Sequence, residues 1–275
     1  YGDHRDLHYP LRRQRQMCIR DRFITGAAKR IGKDIALTFS DLGWNIIIHY
    51  NSSKQEADEL AAKINSKNPN TAKIVQGNLD IADDVKRVLT EVEEMFPSID
   101  ILVNNVGASP SRNFLYMTDE DWQDLHELNL LSAVRCTRAF LPYMRQKKWG
   151  RVVMISSSAG KYPNAALIDY GATKAAMISI SKSLAKKYGS DGILINSVLP
   201  GLIHTAMWER AANEIANATG GNMEDVIKAN GSSVPVGRYG TSEEVAALVT
   251  FLCSEAASYI SGTSIEVDGG QAGHI

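Results

Sequence analysis

The sequence has little of what several protein classes require. It holds only three cysteines, Cys18, Cys136 and Cys253, and none of them forms a CxxC pair. An odd number of widely separated cysteines argues against a disulfide framework and against a structural zinc site. The histidines are also scattered without ligand spacing, so the sequence predicts no metal site.

Neither sign of charge dominates, and no long apolar run is present. Thirty Lys and Arg stand against 31 Asp and Glu, for a net charge of -1, so no basic face is available for nucleic acid or acidic lipid. No apolar run reaches the roughly 18 residues of a membrane span, and the Arg-rich start lacks the apolar region of a signal peptide. We therefore predict a cytoplasmic protein that binds neither nucleic acid nor membranes.

What is present is typical of one globular α/β domain. Short apolar runs at 46–48, 99–103, 151–155 and 193–195 alternate with amphipathic helical patterns, and no repeat or linker divides the chain. Continuous apolar runs indicate strands that are covered on both faces. Their alternation with helices predicts a parallel sheet.

Two helical patterns begin with a predicted capping box, Ser53 with Glu56 and Thr241 with Glu244. A short helical pattern at 207–216 precedes the least regular stretch, 217–235. That stretch is predicted to be either a surface loop or part of a lid over a pocket, and the sequence leaves both open.

A glycine turn lies between a strand and a helix near the start of the chain. Thr25 to Gly32 follows Phe23-Ile24 and precedes a helical pattern at 33–42. Such a turn directs free backbone amides at a phosphate. The spacing is not GxGxxG, because Arg30 stands where a glycine would allow close approach, so a plain strand-to-helix turn remains the alternative.

A second candidate site combines three residue types. Tyr170 and Lys174 lie one turn apart at the start of a helix, whose predicted buried stripe is Ala176, Ile180 and Leu184. A cation there favours phenolate over phenol. The serines 156–158 end the strand 151–155, at the sheet edge where open α/β sheets bind ligands.

Further motifs accompany these two sites. They are Asn104-Asn105-Val106-Gly107, Asn129, Asn196, Pro200-Gly201, Thr205 and Val267-Asp268-Gly269-Gly270. From Phe23 to Gly270 the chain resembles the short-chain dehydrogenase/reductase family. The resemblance implies a single-domain Rossmann-type doubly wound parallel sheet with helices on both faces, and an oxidoreductase acting on CH–OH and C=O groups.

The resemblance implies a role for each catalytic candidate. Tyr170 is the general acid that protonates a carbonyl oxygen as hydride arrives, and Ser157 holds that oxygen. Lys174 lowers the pKa of Tyr170 and holds the nicotinamide ribose, while Asn129 anchors a proton-relay water. Ser157 is chosen among the three serines because it alone has the family's spacing both to Tyr170 and to Gly160.

The resemblance also implies a set of cofactor contacts. They are Gly26, Lys29, Arg30, Ile31, Asn51, Ser52, Asn78, Leu79, Asn105, Gly107, Tyr170, Lys174, Pro200, Gly201, Ile203 and Thr205. The second predicted strand ends without the Asp or Glu that binds the adenosine ribose in NAD enzymes. Lys29 and Arg30 offer charge-assisted bonds to a 2′-phosphate, so NADP(H) is favoured over NAD(H).

The predicted function is an NADPH-dependent reductase of a ketone or a 3-oxoacyl-type carbonyl. The segment 241–270 is similar to 3-oxoacyl-carrier-protein reductases, whereas the stretch from Thr205 to Gly237 is longer than theirs. A small-molecule ketone and an acyl thioester therefore both remain open as substrates. The alternatives are an NAD-dependent secondary alcohol or polyol dehydrogenase, a pteridine reductase, which Ser157 disfavours, and a nucleotide sensor.

Family members commonly assemble as tetramers, so the resemblance also implies a homotetramer. The pairing helices correspond to residues 119–146 and 166–188. Small residues at Ala176, Ser179 and Ser183 permit close helix approach.

The first 22 residues read differently from the rest. Arg20, Asp21 and Arg22 place three charges directly ahead of Phe23, where a buried strand needs apolar residues. Met17 to Arg22 resembles the translation of an adapter used in sequencing libraries. We therefore interpret 1–22 as a non-native or disordered arm, followed by an NADP-binding domain at 23–275 with a lid at about 206–235.

Overall fold

The structure is a computed structural model that describes residues 20–110, 112–204 and 206–272, with the backbone alone at 206–211. Within these ranges, seven parallel strands form one sheet in the order β3-β2-β1-β4-β5-β6-β7. The strands are β1 Asp21–Ile24, β2 Asn45–Tyr50, β3 Ala72–Gln76, β4 Ile101–Asn104, β5 Gly150–Ile155, β6 Ile193–Pro200 and β7 Ser264–Val267. The predicted doubly wound parallel α/β fold is confirmed.

Helices connect the strands and cover both faces of the sheet. They are α1 Arg30–Asp41, α2 Lys54–Lys67, α3 Ala82–Met95, α4 Asp119–His126, α5 Ser132–Lys147, α6 Ile168–Tyr188, α7 Ala206–Thr219, α8 Met223–Ser232 and α9 Ser242–Leu252. A π-helical turn, Glu127–Leu131, joins α4 to α5. No helix of the described residues is both long and apolar enough to cross a bilayer.

Two apolar cores lie on opposite faces of the sheet. Alternate strand residues supply them: Ile46 and Ile48 belong to the core with Phe39 of α1, and Ile47 to the core with Phe140 of α5. Because successive side chains of a strand point to opposite faces, a strand between two helical layers has to be apolar throughout. The continuous apolar runs of the sequence have this cause.

The segment predicted as the least regular, 217–235, contains a helix. Met223–Ser232 forms α8, and Asn222 caps it by accepting a hydrogen bond from the Glu224 amide at 2.8 Å. This helix was not predicted because it is short and largely exposed and therefore leaves a weak apolar pattern. The lid over 206–235 stays a prediction.

Only one of the two predicted capping boxes forms. In α9, the Thr241 hydroxyl accepts from the Glu244 amide and the Glu244 carboxylate accepts from the Thr241 amide. In α2, the Ser53 side chain makes no capping bond. The capping box predicted for Ser53 and Glu56 was wrong, because the Glu56 carboxylate contacts Lys29 instead.

The buried stripe of α6 lies one residue later than predicted. Met177, Ser181 and Ala185 are buried, whereas the predicted stripe of Ala176, Ile180 and Leu184 is only half-buried. The helix starts two residues before Tyr170, and its polar buried face turns Thr173 and Lys174 inwards. Sequence periodicity missed this shift because the buried face carries Ser and Lys rather than apolar residues.

The first strand begins earlier than the predicted domain boundary at residue 23. Asp21 and Arg22 pair with β2 and Arg22 is fully buried. The Arg22 guanidinium lies 3.6 Å from the Trp44 ring centroid, and none of its three nitrogens has a hydrogen-bond partner among the described residues. Residues 1–19 of the predicted arm, including Cys18, lie outside the described residues.

Candidate active site

The carboxyl ends of β1, β2, β4, β5 and β6 border one cleft of about 1400 Å³. The sheet order reverses between β1 and β4, and such a switch point is where open α/β sheets bind ligands. Most of the predicted site residues line this cleft: Gly26, Lys29, Arg30, Ile31, Asn51, Ser52, Asn105, Gly107, Ser157, Tyr170, Lys174, Pro200, Gly201 and Ile203. Thr205 lies outside the described residues.

The glycine turn has the backbone freedom and the close approach that phosphate binding requires. Gly26 has φ +63°, and a Cβ atom on it would lie 3.0 Å from Val106 Cγ2. A Cβ on Gly32 would lie 2.6 Å from the Gly26 carbonyl oxygen. Arg30, which stands where a glycine would be expected, adopts φ 55°, a left-handed conformation that is costly for a residue with a Cβ.

Two side chains hold this turn. His49, which is buried, accepts a hydrogen bond at Nδ1 from the Gly26 amide at 3.0 Å and donates from Nε2 to the Gly77 carbonyl at 3.0 Å. Burial lowers the pKa of His49 to about 4, so the ring is neutral at pH 7. Asn105 donates from Nδ2 to the carbonyls of Thr25 and Gly26 at 3.0 and 3.1 Å.

Tyr170 and Ser157 line the same cleft, as predicted. Burial raises the pKa of Tyr170, and the neighbouring Ser157 hydroxyl lowers it by less, so the net shift is upward. Of the other two serines, Ser156 donates to the Lys174 carbonyl at 2.8 Å. The geometry therefore brings Ser157, the chosen serine, together with the phenol.

Lys174 is buried beneath Tyr170. Its ammonium lies 5.6 Å from the Tyr170 ring centroid and donates to the Ile155 carbonyl at 2.9 Å. Burial lowers the pKa of Lys174 to about 8. The predicted lowering of the Tyr170 pKa by this ammonium is not seen: desolvation raises that pKa, and no effect of Lys174 on it is resolved.

Asn129 lies behind the cleft rather than in its lining. Its side chain accepts from the Ala108 amide at 2.8 Å and donates to the Ala108 carbonyl at 2.9 Å and the Thr173 hydroxyl at 3.1 Å. The residue sits in the π-helical turn, a distortion that is frequent at functional sites. Its side chain thus ties the loop after β4 to α6.

At the far end of the cleft, the predicted pair Asn78 and Leu79 is not in the lining. The Asn78 side chain accepts from Asn51 Nδ2 at 3.2 Å, and Leu79 is buried in a core. Asp80 lines the cleft instead, and its Oδ1 is buried without a hydrogen-bond partner among the described residues. Asp80 was not predicted as a site residue, although an acidic residue shortly after a strand end is a signal that could have identified it.

The rim at the end of β2 carries the predicted cations. Lys29 and Arg30 line the cleft with Asn51 and Ser52. The Lys29 ammonium is already paired with Glu56, at 2.5 Å from Oε1. Glu56 is a second residue that the sequence analysis did not connect with this site.

An ion pair also reaches Asp169, the residue before Tyr170. Asp169 is 1% exposed, and its Oδ2 lies 3.2 Å from Arg112 Nη1. Arg112 lines the cleft and also pairs with Asp121 at 3.1 Å. It therefore connects the loop after β4 to the first turn of α6.

The arrangement fits a dinucleotide. Gly26 and Gly107 leave a cradle that side chains would fill, since a Cβ on Gly107 would lie 3.1 Å from Asn129 Oδ1 and 3.2 Å from Lys174 Nζ. Cations stand at one rim, and Asp80 offers an unpartnered acceptor. The residues that line the cleft are therefore suited to hold NADP(H).

Comparison with known proteins agrees with this geometry. Residues 26–272 match the family model described as Enoyl-(Acyl carrier protein) reductase. The chain is 33% identical over 247 residues to 3-oxoacyl-[acyl-carrier-protein] reductase FabG of Staphylococcus aureus. The match covers 90% of this chain and 96% of the FabG chain. The chain belongs to the short-chain dehydrogenase/reductase family. It is therefore an oxidoreductase that interconverts C=O and CH–OH groups, as predicted.

Other reductases are also similar to this chain over most of its length. A 3-oxoacyl-[acyl-carrier-protein] reductase from Synechocystis is 37% identical over 248 residues, covering 90% of this chain and 94% of that one. L-Sorbose reductase from Gluconobacter frateurii, solved in complex with NADPH and L-sorbose, superimposes with a TM-score of 0.91 at 30% identity. That match covers 95% of this chain and 100% of that one. NADPH, the cofactor in that complex, is the one predicted here from the sequence.

Proposed function

We propose that this protein is an NADPH-dependent reductase of ketone or 3-oxoacyl-type carbonyls, working reversibly as an alcohol dehydrogenase, with Tyr170 as general acid. The proposal rests on the placement of Tyr170 and Ser157 beside buried Lys174, in one cleft with the glycine turn. Bound NADPH supplies the hydride. All other steps fall to groups of this chain and to solvent.

Tyr170 and Ser157 act on the oxygen of the substrate. Their hydroxyl groups both donate to the carbonyl oxygen, which polarises the bond and fixes its orientation. As the carbon accepts hydride, the oxygen becomes basic and takes the Tyr170 proton. Burial keeps the pKa of Tyr170 above its ordinary value, so the phenol carries this proton at neutral pH.

Lys174 and Asn129 complete the proton path. The Lys174 ammonium stabilises the phenolate that remains after transfer and holds the nicotinamide ribose. Because the Asn129 side chain is fully hydrogen-bonded to Ala108 and Thr173, the relay water is anchored by the Asn129 backbone in the π-helical turn. Reprotonation of Tyr170 then proceeds from solvent through this water.

At the other end of the cleft, Gly26 and its neighbours hold the pyrophosphate. Asn105, Gly107, Pro200, Gly201 and Ile203 enclose the rest of the dinucleotide, whereas the predicted contact Thr205 lies outside the described residues. Lys29, Arg30, Asn51 and Ser52 hold the 2′-phosphate, and the Asn78–Asp80 segment receives the adenine. The free Oδ1 of Asp80 supports the last assignment.

Two substrate classes follow from different observations. Identity to 3-oxoacyl-carrier-protein reductases supports a 3-oxoacyl thioester. Polar side chains of Arg112, Tyr162 and Asn164 in the cleft lining, with the likeness to L-sorbose reductase, support a small polar ketone as second candidate. The proposed lid at about 206–235, which includes α7 and α8, selects between them.

The family's tetramer is also proposed for this chain. Ser179 and Ser183 of α6 are exposed and Ala176 is half-buried, which leaves a small-residue surface where two copies of α6 can approach closely. Light scattering at micromolar concentration is expected to give four times the chain mass. A monomer mass would exclude this assembly.

The experiment for the activity is a screen of ketoses, simple ketones and 3-oxoacyl thioesters with NADPH and NADH, in both directions. Turnover with NADPH and any of these carbonyls supports the proposal. Better kcat/KM with NADH and a polyol would favour the NAD-dependent dehydrogenase instead, and activity on pterins alone would favour a pteridine reductase. Tight NADPH binding without turnover of any substrate would favour a nucleotide sensor.

A further inference from the structure

Glu56 lies where no catalytic or binding role has been assigned. It belongs to the first turn of α2, and its Oε1 is 2.5 Å from the Lys29 ammonium. The two side chains are 41% and 48% exposed, so solvent reaches both. The pair joins the glycine turn to the helix that follows β2.

The Glu56 carboxylate contacts Lys29 and does not take part in a capping box at the start of α2. Glu244 stands at the same position of α9, three residues after a hydroxyl residue, and there it caps the helix start. Glu56 is diverted from the equivalent bond, and Ser53 makes no capping bond with its side chain. Helix capping therefore does not explain the position of Glu56.

The ion pair stands at the rim assigned to the 2′-phosphate. Lys29, Arg30, Ser52 and Ser53 all line this part of the cleft. The hydrogen bond from Lys29 lowers the pKa of Glu56 below its ordinary value, so the carboxylate is ionised at neutral pH. Lys29 thus meets an incoming phosphate with its charge already offset by a neighbouring anion.

From this contact we infer that Glu56 is a specificity-determining residue that limits the preference for NADP(H) over NAD(H). The inference rests on the proposed NADP(H) function. Glu56 neutralises Lys29 and repels a dianionic 2′-phosphate, whereas the 2′-hydroxyl of NAD(H) carries no charge to repel. The acidic residue that NAD enzymes place at the end of β2 is absent, and Glu56 supplies a carboxylate to the same rim from α2.

The test compares cofactor affinities of the purified full chain, by fluorescence titration with NADPH and with NADH. In Glu56→Gln, the Kd for NADPH is expected to fall about three- to tenfold at low ionic strength, because an exposed ion pair is released and a repulsion is removed. The Kd for NADH is expected to stay within about twofold of that of the wild-type protein. Added salt shrinks the gain, since it screens exposed charges.

Two further variants separate this role from a general charge effect. Glu59→Gln makes the same change one turn along α2, where the carboxylate accepts from Gln55 at 2.9 Å, and is expected to change both affinities by less than about twofold. In a Lys29→Gln background, Glu56→Gln is expected to raise the NADPH affinity by a smaller factor, because Glu56 no longer has Lys29 to neutralise.

Each outcome decides one question. A wild-type protein that binds neither dinucleotide, or binds NADH better, would contradict the proposed function. A wild-type protein that prefers NADPH, with Glu56→Gln unchanged or weaker for NADPH, would overturn the inference alone. An equal gain in Glu59→Gln, or the full gain without Lys29, would also overturn it.

Discussion

His49 Nδ1 accepts a hydrogen bond from the Gly26 amide over 3.0 Å. Through this bond a side chain at the end of β2 fixes the turn after β1, while Nε2 donates to the carbonyl of Gly77 beyond β3. One neutral imidazole thus ties three adjacent strand ends together beneath the cofactor cleft. A protonated ring has no acceptor to offer Gly26.

Acid is therefore expected to destabilise the protein through His49. The pKa is about 4 in the folded state, below the ordinary 6.5, so folding favours the neutral ring. The stabilisation is complete above pH 6.5 and is lost as the pH falls towards 4. Thermal melts should show this loss of stability between pH 6.5 and 4. His49→Gln should be less stable than the wild-type protein at pH 7 but should lose less stability in acid. An equal acid loss in both proteins would contradict this role, and His126→Gln serves as control.

Lys174 is expected to set the alkaline limit of carbonyl reduction. Its pKa is about 8 in the buried site, whereas that of Tyr170 is raised above its ordinary value. As the pH rises through 8, Lys174 loses the charge that stabilises the phenolate, and kcat/KM for NADPH should fall. Lys174→Arg should be slower, and its fall should begin at a higher pH, because a guanidinium has a higher ordinary pKa than an ammonium. A flat wild-type profile from pH 7 to 9.5 would refute the assignment.

Arg22 is expected to destabilise the fold. Its guanidinium is buried, without a hydrogen-bond partner among the described residues, and burial lowers its pKa to about 8. Arg22→Met keeps an unbranched apolar stem, although a shorter one, and removes the charge, so the free energy of unfolding should rise by about 1–3 kcal/mol. Arg20→Met is the contrasting variant, since Arg20 lies 2.6 Å from Glu255 and should gain nothing. A lower melting temperature for Arg22→Met would show that the Trp44 contact outweighs the desolvation.

The sequence was sufficient where chemistry follows from local spacing. Tyr170 and Lys174 share a helix, and Ser157 ends a strand at the same sheet edge, so all three line the cleft as expected. Residues that act through contacts between distant segments were missed. Glu56 appeared to be a helix cap, because only the folded chain brings Lys29 to it.

The burial of side chains was harder to predict for the same reason. Leu79 turns into a core while Asp80 turns into the cleft, and one residue of strand-end register decides between them. The charged start of β1 argued against a buried strand at Arg22, yet pairing with β2 and β4 leaves β1 no free edge there, and the Arg22 side chain packs on Trp44.

Replacement of Tyr170 tests most directly whether this residue protonates the carbonyl in an NADPH-dependent reduction. Single-turnover and steady-state oxidation of NADPH should be compared between the wild-type protein and Tyr170→Phe, on the best carbonyl from the screen, alongside NADPH binding by titration. We expect unchanged folding and NADPH affinity, with turnover lower by at least about 10²-fold, because only the proton donor is removed. Turnover within a few-fold of wild type, at equal NADPH affinity, would contradict it.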